Sequence, residues 1–177
     1  MMPEKETKKK KNILMVESSR CIGCFSCEVA CKMEHDLPAG PQPVKVIQIG
    51  PLEGEDGLLM HYETVTCFHC DRPACVSACP TGAMQKREDG IVFSDADLCI
   101  GCQTCAVACP FGVPELNPAT GKIAKCDGCQ ERVDQGLWPS CALKCPTGCL
   151  SFGSPQRVVQ DLRTREALTI VRSLSVR

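Results

Sequence analysis

Sixteen of the 17 cysteines fall into four groups of four. The first is Cys21, Cys24, Cys27 and Cys31, and the second is Cys67, Cys70, Cys75 and Cys79, followed by Pro80. The third is Cys99, Cys102, Cys105 and Cys109, followed by Pro110; the fourth is Cys126, Cys129, Cys141 and Cys145, followed by Pro146. Thiolates at i, i+3 and i+6 on a tight loop can grip three irons of one compact cubane. In the bacterial run Cys-x2-Cys-x2-Cys-x3-Cys-Pro, the fourth cysteine reaches away to the other cluster of a pair. The third group has this spacing throughout, and the first has it with Lys32 in place of the proline. The second group stretches the middle gap to four residues, and the fourth stretches it to the eleven of "QERVDQGLWPS", a loop expected to bulge between ligands.

Small residues in the first gap fit this chemistry. Gly23, Gly101 and Gly128 let backbone approach inorganic sulfur, and His69 takes that place in the second group. Zinc is a poorer fit, because tetrahedral sites are built from two knuckles of two ligands each. Disulfides suit neither the odd cysteine count nor the expected compartment. The apolar run Ile13 to Val16 is too short for a signal-peptide core. No stretch approaches the roughly 18 apolar residues of a membrane span, so a reducing, cytoplasmic setting is expected. A formal net charge of −1 gives no reason to expect nucleic acid. Cys149 lies where the parallel repeat has Ala83 and is expected as a buried small side chain. His35, His61 and His69 show no paired arrangement and read as surface or near-cluster residues. Phe25, Phe68, Phe111 and Trp138 are expected to wall clusters from water.

The groups repeat with their surroundings. "CVSACPTGAM" at 75–84 returns as "CALKCPTGCL" at 141–150 and more loosely as "CAVACPFGVP" at 105–114, which points to duplication of one small unit. Extended segments are expected in "NILMVES", "HYETVT", "GIVFSD" and "KIAK", each leading into a group. "AMQKREDGIVFSD" reads as a hairpin turning at Glu88, Asp89 and Gly90. Short helical turns are expected in "CFSCEVACKMEH", "CVSACP", "CAVACP" and "CALKCP", the last three stopped by proline. The fold class is therefore α+β: tandem two-cluster ferredoxin-like modules, loop-rich and pseudo-two-fold. Residues 1–11 form a basic arm expected to be disordered, and residues 12–153 form the four-cluster domain, with a nested module at 61–113. Residues 38–60 are read as an insertion packed on the outside with one strand, "VKVIQI". Residues 154–177 are a C-terminal extension for subunit docking, opened by a Ser154 cap and Pro155, and a candidate for joining copies of the chain.

With four such motifs in this order, residues 12–153 resemble the four-cluster ferredoxin-like electron-transfer subunits of molybdenum and tungsten oxidoreductases. That family includes the dimethyl sulfoxide reductase beta subunit and the iron-sulfur proteins of formate dehydrogenase, hydrogenase and carbon monoxide dehydrogenase. The resemblance implies four 4Fe-4S clusters with nested pairing of motifs. One cluster takes Cys21, Cys24, Cys27 and Cys145, and its neighbour takes Cys126, Cys129, Cys141 and Cys31. A third takes Cys67, Cys70, Cys75 and Cys109, and the last takes Cys99, Cys102, Cys105 and Cys79. "CEVACKMEHDLPAGPQPVKVIQIGP" looks most like subunits that accompany catalytic proteins of the tungsten aldehyde oxidoreductase type, including the benzoyl-CoA reductase relative.

Four cubanes consume all sixteen motif thiols, so no iron keeps an open position for substrate. The sequence holds no Gly-x-Gly-x-x-Gly fingerprint, phosphate loop or nucleophile beside a base. The expected role is therefore non-catalytic: single electrons pass between a tungsten or molybdenum catalytic subunit and a second redox partner. A free-standing polyferredoxin is the competing reading, as are a partner of carbon monoxide dehydrogenase or hydrogenase and an iron-sulfur sensor.

Overall fold

The computed structural model describes residues 11–55 and 57–174. The basic arm expected over 1–11 lies outside them except for Lys11, whose ammonium pairs with Asp71. Among the described residues, eight strands form four separate two-stranded antiparallel sheets.

Strand β1 (Ile13–Val16) pairs with β8 (Leu150–Gly153), with Ile13 opposite Gly153, so the two ends of the cysteine-rich region are joined. Strands β4 (Met84–Lys86) and β5 (Val92–Ser94) form the hairpin expected around Glu88 to Gly90. Its Arg87 is held by Asp89 and Asp134. Strand β7 (Lys122–Ala124) pairs with β6 (Glu115–Asn117) across a turn in which Asn117 Oδ1 accepts the Ala119 N–H at 3.0 Å.

Residues 38–60 are not simply an external insertion with one strand. Strand β2 (Val44–Gly54) and β3 (Gly57–Thr66) make one long hairpin that runs across the expected boundary at residue 60. Its base is core: Val44 and Val46 pack with Cys27, Cys31, Cys141, Ala142 and Leu150. Its far end is exposed, including Leu52, Leu58, Leu59 and Met60. The alternation of Val44 and Val46 with outward residues is what buries one face at the base.

The helices are α1 (Ser26–Glu34), α2 (Ala74–Ser77), α3 (Thr104–Ala108), α4 (Gln130–Asp134), α5 (Ser140–Leu143) and α6 (Pro155–Leu174). The four expected helical turns are α1, α2, α3 and α5, while α4 is an addition inside the stretch read as a bulging loop. Helix α6 starts as expected: Ser154 Oγ accepts the Arg157 N–H at 3.3 Å. It continues as one helix to Leu174, taking in the "TIVRSL" stretch. Val158 anchors it in the core, and Arg165 ties it to Glu17 at 3.3 Å and to Ser151 Oγ at 3.0 Å. Beyond Arg165, Leu168, Ile170 and Leu174 face outward.

Candidate metal centres

Each of four cavities is lined by one set of four cysteines. Cys21, Cys24, Cys27 and Cys145 line the first, and Cys31, Cys126, Cys129 and Cys141 line the second, which also reaches Cys67. Cys67, Cys70, Cys75 and Cys109 line the third, and Cys79, Cys99, Cys102 and Cys105 the fourth.

The short helices account for this convergence. In α1, Cys27 and Cys31 sit one turn apart on the same buried face. Around α2, α3 and α5 the pairs Cys75 and Cys79, Cys105 and Cys109, and Cys141 and Cys145 have the same separation. Each helix thus delivers one sulfur to one cavity and another to its neighbour. Helix α1 packs on α5, and α2 packs on α3. The sets also follow one another in space. Cys31 feels the charge of Cys27 in the first set, Cys67 that of Cys126 in the second, and Cys105 that of Cys75 in the third.

Burial governs the thiols. It pushes Cys27 and Cys129 up to about 12 and Cys67 up to about 11. Cys31 and Cys141 move further in the same direction, first from burial and then from neighbouring thiols. As bare thiolates these groups would be buried anions crowded together, so they require a cation. The donors aimed at them are soft-centre features. Backbone N–H groups of His69, Ile123 and Gly128 point at Cys67, Cys99 and Cys126 sulfur at 3.4, 3.4 and 3.5 Å. Sulfur-only sets with N–H and O–H groups directed at the ligand atoms fit iron-sulfur clusters.

Hydroxyl groups missed in the sequence complete two of the sets. Thr64 lies 3.8 Å from Cys21 sulfur and Thr147 3.7 Å from Cys145 sulfur, both in the first set. Thr81 lies 3.7 Å from Cys79 and Thr104 3.4 Å from Cys102, both in the fourth. The Thr104 hydroxyl, with its backbone N–H, lowers Cys102. At Cys145 and Cys79, burial works against ionisation, but backbone N–H groups and these hydroxyls outweigh it. Three of these threonines stand two residues after a cysteine, a spacing visible in the sequence.

Two imidazoles adjoin the second set. His35 Nε2 is 3.5 Å from Cys129 sulfur and 3.4 Å from the Asp127 carboxylate. His35, Asp127 and Cys129 could hold a metal ion by proximity alone, but Cys129 already belongs to the second set. His61 lies apart, against Glu63 at 3.3 Å. Lys125 is buried, and its ammonium donates to the Val92 and Cys126 carbonyls; burial raises the nearby Cys67 and Cys75 thiols, and the Lys125 charge offsets part of that rise. Cys149 is buried as expected, yet it also borders the first cavity. Of the expected aromatic walls, Phe25 and Trp138 pack on the first core. Phe68 and Phe111 line the third cavity with their rings tilted 48° to each other, centroids 4.4 Å apart, while their outer sides stay exposed.

A family model described as a 4Fe-4S dicluster domain matches residues 58–155, and a second with the same description matches residues 20–83. A probable anaerobic dimethyl sulfoxide reductase subunit of Escherichia coli is 43% identical over 163 residues, covering 86% of this chain and 78% of the relative. The chain belongs to the four-cluster iron-sulfur subunit family. Within that family, a thiosulfate reductase electron transfer subunit of Salmonella typhi is 45% identical over 144 residues, covering 80% of this chain and 74% of its own. A polysulfide reductase subunit of Wolinella succinogenes is 38% identical over 146 residues, covering 81% and 76%. As a four-cluster subunit, the protein carries electrons through 4Fe-4S clusters and does not house the catalytic centre. Among the described residues, no helix is long and apolar enough to cross a membrane.

Proposed function

We propose that each cysteine set holds one 4Fe-4S cluster and that the four form a wire in the order first, second, third, fourth. The wire connects a molybdenum-pterin reductase subunit to a second redox partner. The observation that carries this reading is the convergence of the sixteen motif cysteines on four successive cavities as sets of four, with Cys67 also reaching the second and Cys149 bordering the first. Within it, the two halves are related as duplicated dicluster units, with the 61–113 module nested inside the outer one. The names of the relatives, reductases of dimethyl sulfoxide, thiosulfate and polysulfide, favour a molybdenum reductase of sulfur compounds over a tungsten aldehyde oxidoreductase. The exposed end of the β2–β3 hairpin and the outward side chains of α6 offer apolar docking surface, which supports a subunit over a free carrier.

The test is isolation of the native complex without air. We expect molybdenum in the larger subunit, with about 16 iron and 16 acid-labile sulfide atoms per small subunit. The Cys102→Ser variant should remain bound to its partner while turnover with the physiological acceptor slows at least tenfold. A protein that migrates alone, or a variant with undiminished turnover, overturns the wire.

A further inference from the structure

His69 stands where the other three motifs have Gly23, Gly101 and Gly128. Its φ is +45°, a conformation that side-chain-bearing residues keep when the surroundings enforce it, often at working sites. The imidazole explains the exception. Nδ1 accepts the Val92 N–H at 2.9 Å, so that nitrogen carries no proton and the ring hydrogen is on Nε2. Nε2 lies 3.7 Å from Cys126 sulfur. The backbone N–H of the same residue donates to Cys67 sulfur at 3.4 Å.

Cys67 belongs to the third set and Cys126 to the second, so one residue donates to a sulfur of each. The threonines do not do this: each pair of hydroxyls serves a single set. His35 also serves only the second. The ring lies beside Gly128 of the fourth motif, where an added Cβ would sit 3.6 Å from Nε2, at ordinary contact distance. The second cavity, lined by His69, reaches Cys67 as well as Cys126.

We propose that His69 is the link between the second and third clusters, raising the potential of the second through Nε2–H and supplying the hydrogen-bonded route between them. This rests on the reading that the cysteine sets hold clusters. The step is a one-electron exchange supplied and drained by the redox partners: one side loses an electron, the other gains it, and no proton or bond changes hands. A donor to cluster sulfur favours the more negative, reduced state, so removing it lowers the potential. His69 is a positioning residue, because it acts through two ligand sulfurs.

The experiment uses the full chain in its native complex, with iron and sulfide counted first. A wild-type count near half of sixteen sinks the cluster assignment itself, whatever His69 does. With the wild-type count intact, the four midpoint potentials are resolved by EPR-monitored titration in His69→Gly, His69→Asn and His69→Gln. Glycine keeps the backbone donor to Cys67 and suits the positive φ, and asparagine tolerates that φ but falls short of Cys126. Glutamine places an amide nitrogen near the Nε2 position. In the glycine and asparagine variants, one of the four couples should fall by about tenfold in electron partition, ~59 mV for one electron. Electron transfer through the chain should slow with it. Glutamine should restore most of both. The proposal is overturned if all four potentials stand still in both shortened variants, or if glutamine falls as far as glycine. It is equally overturned if neither shortened variant holds its clusters, since His69 would then be a structural residue.

Discussion

Stripping iron anaerobically with a strong chelator is expected to abolish the cooperative fold rather than yield a stable iron-free protein. Among the described residues, eight of the 18 buried hydrophobic side chains are cysteines. Every sheet has only two strands, and such pairs are marginal without further support. Helices α2 to α5 have only four or five residues, far below the length that sustains a helix alone. Among fully buried side chains the first core adds Val44, Val46, Ala142 and Leu150 to its thiols, and the second Ala83, Met84 and Ile123; the other apolar side chains packed on them, such as Phe25, Tyr62 and Trp138 on the first and Val76 on the second, are only partly buried. Domains hold about 5–15 kcal/mol of stability, and a structural zinc site alone contributes about 10–16 kcal/mol to folding. Four metal centres therefore exceed what this sparse core supplies. Far-UV circular dichroism should lose most of its structured signal on chelation, and the fluorescence of Trp138, packed on the first core, should move toward that of an exposed indole. An iron-free chain that still melts in one sharp transition would falsify this account of stability.

The Gly101→Ala variant is expected to lose the fourth cluster. Gly101 has φ +70°, and a Cβ there would lie 2.2 Å from the Gly121 carbonyl oxygen. That oxygen belongs to the turn between β6 and β7, so no flexible side chain can move aside. The left-handed conformation costs about 1–2 kcal/mol for a residue with a Cβ, and overpacking against a fixed backbone adds about 1–3 kcal/mol. Relief requires shifting either the Cys99 to Cys102 loop or the β6–β7 hairpin, whose β7 residue Ile123 points its N–H at Cys99 sulfur. Iron should drop by about four atoms per chain. Gly82→Ala provides the comparison. Its φ is also +70°, but nothing lies within 4 Å of the added carbon, so only the conformational cost applies, the iron content stays full and the urea midpoint falls slightly. Equal iron in the two variants would show that the close approach at Gly101 is unimportant.

The metal chemistry was legible because ligand spacing is local: a loop that grips a cubane must bring its thiols close along the chain. The Glu88 to Gly90 turn and the Ser154 cap were legible for the same reason. The β2–β3 hairpin was only half visible. "VKVIQI" alternates clearly, but the return strand begins in "GLLM", where exposed apolar residues conceal the alternation that becomes regular at Thr64 and Thr66. Helix α4 lay hidden in a polar stretch between two ligands, and its start at Cys129 uses a left-handed residue instead of a Ser, Thr or Asp cap. The threonine hydroxyls, the buried Lys125 and the succession of the four cavities depend on contacts between distant segments, which no window of sequence contains. Phe68 and Phe111 line the third cavity as an aromatic near a ligand suggests, but sitting on outer loops they cover it with one side and leave the other in solvent.

The pairing of β1 with β8, Ile13 against Gly153, also constrains biosynthesis. A ribosome that has released residues 61–125 has delivered every cysteine of the third and fourth cavities, while Cys21, Cys24, Cys27 and Cys31 still await partners some hundred residues downstream. The third and fourth cavities thus have all their cysteines before the first gains Cys145 and β1 gains β8. A nascent chain that stalls before that point has two cavities with all their cysteines and two without, so the closing stretch through Cys145 decides whether the outer pair can form.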